Sequence, residues 1–131
     1  MTDSKQDYIN YRIERSVELF QDAILLAENK RWRSCVNRLY YSSFHLVNAL
    51  LFQDGIAPKS HDGLKTKFFQ LYIKTDHIDQ SFGKLYSQLL DWRQESDYTI
   101  YVDFDAEDIE PIIEKVKKFN HLLTYIISTK S

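Results

Sequence analysis

A stripe of polar side chains that could hold a phosphate or move a proton runs along one stretch of this sequence: Arg38, Tyr41, Ser42 and His45, with Asn37 and Asn48 at its margin. At about 100° per residue they stand one above another on a helix. Around them Cys35, Val36, Leu39, Tyr40, Phe44, Leu46, Val47, Leu50 and Leu51 fill roughly half the circumference or more, an apolar arc too wide for a surface helix. The stretch from about Trp32 to Gln53 is therefore a central helix. An unpaired cation is costly to bury, so Arg38 needs a carboxylate or a phosphate. Asp97, just past the end of a later helix, is the carboxylate expected to meet it, directly or through water, with Tyr41 joining.

A second arginine breaks the usual pattern. From about Ile78 to Glu95 the apolar positions Phe82, Leu85, Tyr86 and Leu89 form one stripe, and Arg93 falls about 20° from Phe82, at its centre. The plain alternative to a site is a cation stabilised by the helix C-terminus, its stem covering apolar surface. Against that, Gln94-Glu95-Ser96-Asp97-Tyr98 crowds acid, hydroxyl and phenol groups beside it. His45 shares a face with Arg38, although a lone histidine in a packed helix is more often structural. His61 follows Ser60 at a helix start, where capping or facing a phosphate suits the positive dipole end. His45, His61, His77 and His121 lack metal-ligand spacing, so no metal is expected. Phosphate loops and dinucleotide fingerprints are absent too, and no cofactor is implied.

The elements that must position these groups are helices. Ile9, Ile13, Val17, Phe20, Ile24 and Ala27 predict a first helix over about Asp7 to Asn29. After the central helix, Gly55 and Pro58 stop the chain. Ser60 then caps a short helix bearing Leu64, Phe68 and Leu71 or Tyr72, ending near Lys74. Ser96 to Asp105 alternates in period two and reads as an extended loop. The last helix carries Ile109, Ile112, Ile113, Val116, Phe119, Leu123, Ile126 and Ile127; Asp105 or Asp108 can cap it, and a cap at Asp108 would put Pro111 in its first turn. The expectation is a single all-α domain over residues 1–131, an antiparallel bundle of four long helices and one short one.

Composition narrows the function classes. Seventeen Lys and Arg against 19 Asp and Glu leave a net charge of −2, so nucleic acid would have to be bound by a local patch. Lys115, Lys117 and Lys118 read as a solvated face. The single cysteine, Cys35, sits on the apolar arc as a buried, inert thiol. With no apolar run long enough to span a membrane and a polar start to the chain, a soluble cytoplasmic protein is expected, with no membrane partner.

The motifs Asn37-Arg38-Leu39-Tyr40-Tyr41-Ser42-Ser43-Phe44-His45, Pro58-Lys59-Ser60-His61-Asp62-Gly63 after Gly55, and Arg93-Gln94-Glu95-Ser96-Asp97-Tyr98 together resemble the HEPN domain family, in order and across nearly the whole chain. The resemblance implies a helical bundle that commonly dimerises. It also implies RNA or nucleotide as ligand, a toxin or defence role, metal-independent ribonuclease activity in many members, and for some a minimal nucleotidyltransferase partner. The family's nuclease motif is an arginine followed by four to six residues and a histidine. Arg93 matches the arginine, but Tyr98 stands where the histidine would be. A tyrosine, with an ordinary pKa near 10, can donate a proton or bond a phosphate but is a poor base at neutral pH. The resulting candidate site has Arg93 and Tyr98 at its catalytic positions and Arg38, Tyr41, His45, His61 and Asp97 around the ligand. Other members of the family are non-catalytic binding modules, and a bundle whose polar stripe is only an internal ion-pair network is the third reading. Trp92, Tyr98, Tyr101 and Phe104 supply the aromatic groups expected at a homodimer interface.

Overall fold

The computed structural model describes residues 4–98 and 103–130, with the side chain of Tyr98 outside the description. Five α-helices follow one another: α1 (Ser4–Glu28), α2 (Trp32–Gln53), α3 (His61–Phe68), α4 (Gln80–Tyr98) and α5 (Ala106–Lys130). A single π-helical turn, Phe69–Ile73, extends α3. Four helices are long and one is short, and no strand occurs among the described residues.

α2 lies at the centre, as its wide apolar arc demands, and packs against α1, α3, α4 and α5. Leu39, Tyr40, Val47, Leu50 and Leu51 are fully buried on it, and so is Cys35, whose thiol burial pushes up to about 11. Its stop is the one the sequence encodes. Gly55 takes φ +82°, and the N–H groups of Gly55 and Ile56 close on the carbonyls of Phe52 and Leu51. At the opposite end of the bundle's chain, Lys130 on α5 reaches both Asp54 and Tyr72, tying the last helix to the end of α2.

The start of α3 also follows its sequence signal. Ser60 Oγ accepts from the Gly63 N–H at 2.9 Å, and Leu64, Phe68 and Tyr72 face the core while Leu71 stays at the surface. α4 buries Leu85, Tyr86, Leu89 and Leu90.

Two expectations change, and the choice of cap for the last helix is decided. The alternation from Ser96 onward does not start a loop at once: Ser96 to Tyr98 continue α4, Ser96 Oγ donating to the Arg93 carbonyl and Asp97 pairing with Arg93 one turn back. Strand propensity is a weak local preference, and these helical contacts override it. Residues 103–105 have no regular structure, and 99–102 of the expected loop lie outside the described residues.

Asp105, not Asp108, caps α5. Its carboxylate accepts from the Asp108 N–H at 3.1 Å while Asp108 accepts from the Asp105 N–H at 3.3 Å. This reciprocal box satisfies two amides that a cap at Asp108 would leave open. Pro111 consequently falls inside the helix, on its exposed side, where water can reach the carbonyl deprived of its donor.

The buried face of α1 is also rotated. Val17 is exposed, whereas Ile9, Ser16, Leu19 and Ala23 are buried. The cause is a polar junction: Ser42 Oγ donates to the Ser16 carbonyl and accepts from Asn120 Nδ2, and Ser43 Oγ donates to Asn120 Oδ1. Those bonds draw Ser16 inward and fix α1, α2 and α5 against one another.

Candidate functional site

The site grows from α2. Tyr40, Tyr41 and Phe44 form one aromatic face, and His61 at the start of α3 lays its ring against all three, with centroids 5.6, 5.9 and 4.8 Å away. Tyr86 from α4 stacks on Tyr40 from beneath at 5.8 Å. Tyr40 is fully buried, and that burial pushes its hydroxyl up to about 12, so it remains a phenol that hydrogen-bonds His61 Nδ1 at 2.6 Å.

Arg93 enters this face from α4. Only 12% of its side chain is exposed; the guanidinium lies over the rings of Tyr40 and Tyr41 at 5.4 and 5.8 Å. Its Nη1 donates to Tyr41 Oη and to Asp97 Oδ2, each at 3.2 Å. Its Nε is buried with no hydrogen-bond partner among the described residues. An inward arginine at the centre of the α4 stripe, with Asp97 and Tyr41 beside it, is what the sequence predicts. The partner of Asp97 is not. Arg38 donates to Asn37 at 2.8 Å and lines a shallow groove with Asp22, Leu25 and Leu26, so the expected contact between Arg38 and Asp97 is not formed. Arg93, one helical turn away, captures the carboxylate instead.

His45 belongs to an adjoining group that includes a residue missed from sequence. Arg12 on α1 donates to His45 Nδ1 at 3.0 Å, so that nitrogen carries a lone pair and the ring proton sits on Nε2. The same guanidinium bonds Tyr8 Oη and lies over the rings of Tyr8 and Phe44. Phe44 thus separates two arginines: Arg12 stacks on it directly, and Arg93 reaches its neighbours Tyr40 and Tyr41. Arg12 lies about 25° from the mean direction of the residues that α1 actually buries, but about 90° from the stripe expected for that helix. An apolar stripe centred correctly would have flagged it, as it flagged Arg93.

Burial first, then Arg12 and Arg15, lower the His45 pKa to about 4. Burial and Arg93 lower that of His61, with Asp62 pulling the other way. Both rings are therefore neutral at pH 7. Because the folded chain resists protonating His45, the unfolded chain binds the proton first: stability is full above about pH 6.5 and is lost as pH falls toward 4. Discounted for partial solvent screening, the expected loss between pH 7 and pH 5 is about 1 kcal/mol from this residue. Urea unfolding at the two pH values should show that difference shrink in His45→Gln; an equal acid loss in the variant would assign it to other groups.

Tyr98 ends α4, but its side chain lies outside the described residues, as does Tyr101. Trp92 packs against Phe104 with the rings tilted and their centroids 5.2 Å apart. Among the described residues no three His, Cys, Asp or Glu side chains form a set able to hold a metal, and no helix is long and apolar enough to cross a membrane. A cavity of about 240 Å³ lies elsewhere, lined by Ser16, Phe20, Leu46, Asn120 and Thr124 among others, and shares no residue with the Arg93 cluster.

Residues 9–125 match the model of the HEPN domain. A UPF0332 protein of Thermotoga maritima is 35% identical over 115 residues, covering 88% of this chain and 87% of the relative. Two Methanocaldococcus jannaschii proteins, named Putative toxin MJ0142 and Putative toxin MJ0605, are each 30% identical; the matches cover 88% and 86% of this chain and 82% and 89% of theirs.

Proposed function

This chain belongs to the HEPN domain family, and from that premise we propose that it binds RNA or a nucleotide at the Arg93 cluster, as a homodimeric component of a toxin or defence system. The observation that carries the reading is the Arg93 guanidinium: mostly buried, held against two tyrosine faces, and left with a buried N–H that nothing in the described chain satisfies. A structural ion pair would use that donor. A phosphate oxygen, an acceptor with charge to match, would meet the exposed edge of the guanidinium, since Nε itself is closed to solvent. Tyr41, Phe44 and His61 offer rings on which a base can stack, and Arg12 beside His45 gives a second cation for the neighbouring backbone. Asp97 and Tyr41 orient Arg93. Arg38, on the α1 side, stands apart from this group and serves it only through the helix they share.

The two relatives whose names read Putative toxin support the toxin role. The resemblance also brings a minimal nucleotidyltransferase as the candidate partner protein. A second reading, a non-catalytic interaction module for such a partner, is favoured by Tyr98 in the place of the motif histidine.

Binding of labelled single-stranded RNA, followed by fluorescence anisotropy across salt concentrations, tests the reading. The logarithm of the affinity should fall linearly with the logarithm of salt, by roughly 0.7 per phosphate engaged. No binding, or binding indifferent to salt, would leave the interaction module in its place. Light scattering on the same samples should give twice the mass of one chain, as expected of a two-fold pair with the two Arg93 segments near the axis; a monomer at micromolar concentration would remove the dimer.

A further inference from the structure

Resting on that reading, we propose that His61 is the proton-transfer group of the site, so that His61 from α3 and Arg93 from α4 form an acid–base centre able to cleave single-stranded RNA without a histidine at position 98. The chain's departure from the family motif is then a change in which helix supplies the base. Four observations place His61 in this role.

The cap of α3 is made by Ser60, so the His61 imidazole is not consumed at the helix end. The ring is half-exposed, and its Nδ1 is anchored on the buried Tyr40 hydroxyl. Its Nε2 has no partner among the described residues. The groups that face it are Tyr40, Tyr41 and Phe44 from α2, Arg93 from α4, and Asp62 from its own helix; of the charged ones, Arg93 acts to keep the ring neutral and Asp62 opposes it. A neutral imidazole beside a fixed guanidinium is what a base needs when the substrate is an anion.

The bond to Tyr40 accommodates either tautomer of His61, and the one protonated on Nδ1 is the base. When the Tyr40 oxygen accepts the Nδ1–H, Nε2 bears the lone pair and takes the proton from an RNA 2′-hydroxyl. The O2′–P bond forms, the P–O5′ bond breaks, and the leaving 5′ oxygen takes a proton from solvent. Arg93 stabilises the charge on the non-bridging oxygens, and the imidazolium returns its proton to water. The products are a 2′,3′-cyclic phosphate and a 5′-hydroxyl, with no oxidant or second substrate consumed.

The test incubates the purified full-length chain with labelled single-stranded RNA in the presence of a chelator, and measures cleavage and binding together. His61→Ala should lower cleavage at saturating RNA by at least about 100-fold, within the range for loss of a general base, while RNA still binds through Arg93 with affinity reduced only by the loss of one stacking ring. Added imidazole should restore part of the activity to His61→Ala, which a merely structural histidine would not allow. His77→Gln, at an exposed position away from the cluster, should cleave as the unaltered chain does. If circular dichroism shows His61→Ala unfolded, His61→Asn, which keeps a polar group toward Tyr40, replaces it in every arm. RNA bound through Arg93 but left uncut, or cut equally without His61, overturns the assignment and leaves the binding reading standing. Failure to bind RNA at all overturns both.

Discussion

Arg93→Ala is expected to weaken binding of single-stranded RNA by about 10- to 100-fold, the range that follows from losing charged hydrogen bonds worth roughly 1.5–3 kcal/mol. The guanidinium presents several N–H groups in one plane, and its position is fixed before any ligand arrives by Tyr40, Tyr41 and Asp97. The ordering cost of binding is thus largely met in the fold. Arg93→Lys should recover only part of the loss, because a lysine keeps the charge but neither the planar fork nor the stacking on the tyrosine rings. The salt slope should become shallower in Arg93→Ala by about one phosphate contact.

Stability should change much less. Asp97, the carboxylate that loses its partner, is 40% exposed and can be solvated, so no buried charge is stranded. Loss of the arginine stem over the aromatic face leaves about 1 kcal/mol. Unchanged RNA affinity in a folded Arg93→Ala would move the ligand away from α4, toward Arg12 and His45. An affinity lost together with several kcal/mol of stability would make Arg93 a structural residue.

The bundle and its two oddities were legible at different depths. Helix boundaries followed from caps and breakers: Gly55 and Ser60 each do in space what their type announces. Arg93 was found because it sits at the centre of a stripe whose other members are apolar, a signal that one helix contains in itself. Arg12 lies on a helix whose stripe was misplaced by about 70°, since Ser16 looks like a surface residue until its partners on two other helices are known. The same limit explains Arg38. Its need for an acceptor could be read from α2, but which group fills that need depends on how far α4 continues, and the alternation after Ser96 concealed three more helical residues. Nearness of His61 to Arg93 was beyond any local pattern, because it joins the first residue of one helix to the last turns of another.

Asn120→Leu should be among the most destabilising polar substitutions in the chain, at about 2–4 kcal/mol, and part of that loss should return on adding Ser43→Ala. Asn120 is 8% exposed, and both ends of its amide are used: Nδ2 donates to Ser42 Oγ and Oδ1 accepts from Ser43 Oγ. Leucine fills a similar volume, so the penalty comes from the hydroxyls left behind, at roughly 1–3 kcal/mol for each buried group deprived of a partner. Ser42 keeps its bond to the Ser16 carbonyl, whereas Ser43 loses its acceptor. Removing that stranded hydroxyl in Asn120→Leu/Ser43→Ala should therefore recover about 1 kcal/mol, the non-additivity expected of one hydrogen-bonded unit. Chemical denaturation of the four proteins of this cycle measures it, and strictly additive losses would show that Asn120 acts by shape alone. A functional consequence travels with the stability: the junction sets the rotation of α1 on α2, and that rotation places Arg12 against His45 and Phe44. Asn120→Leu should accordingly weaken the hold of Arg12 on His45, and the His45 ring should take up its proton at a higher pH in the variant, visible in the NMR titration of its carbon-bound protons.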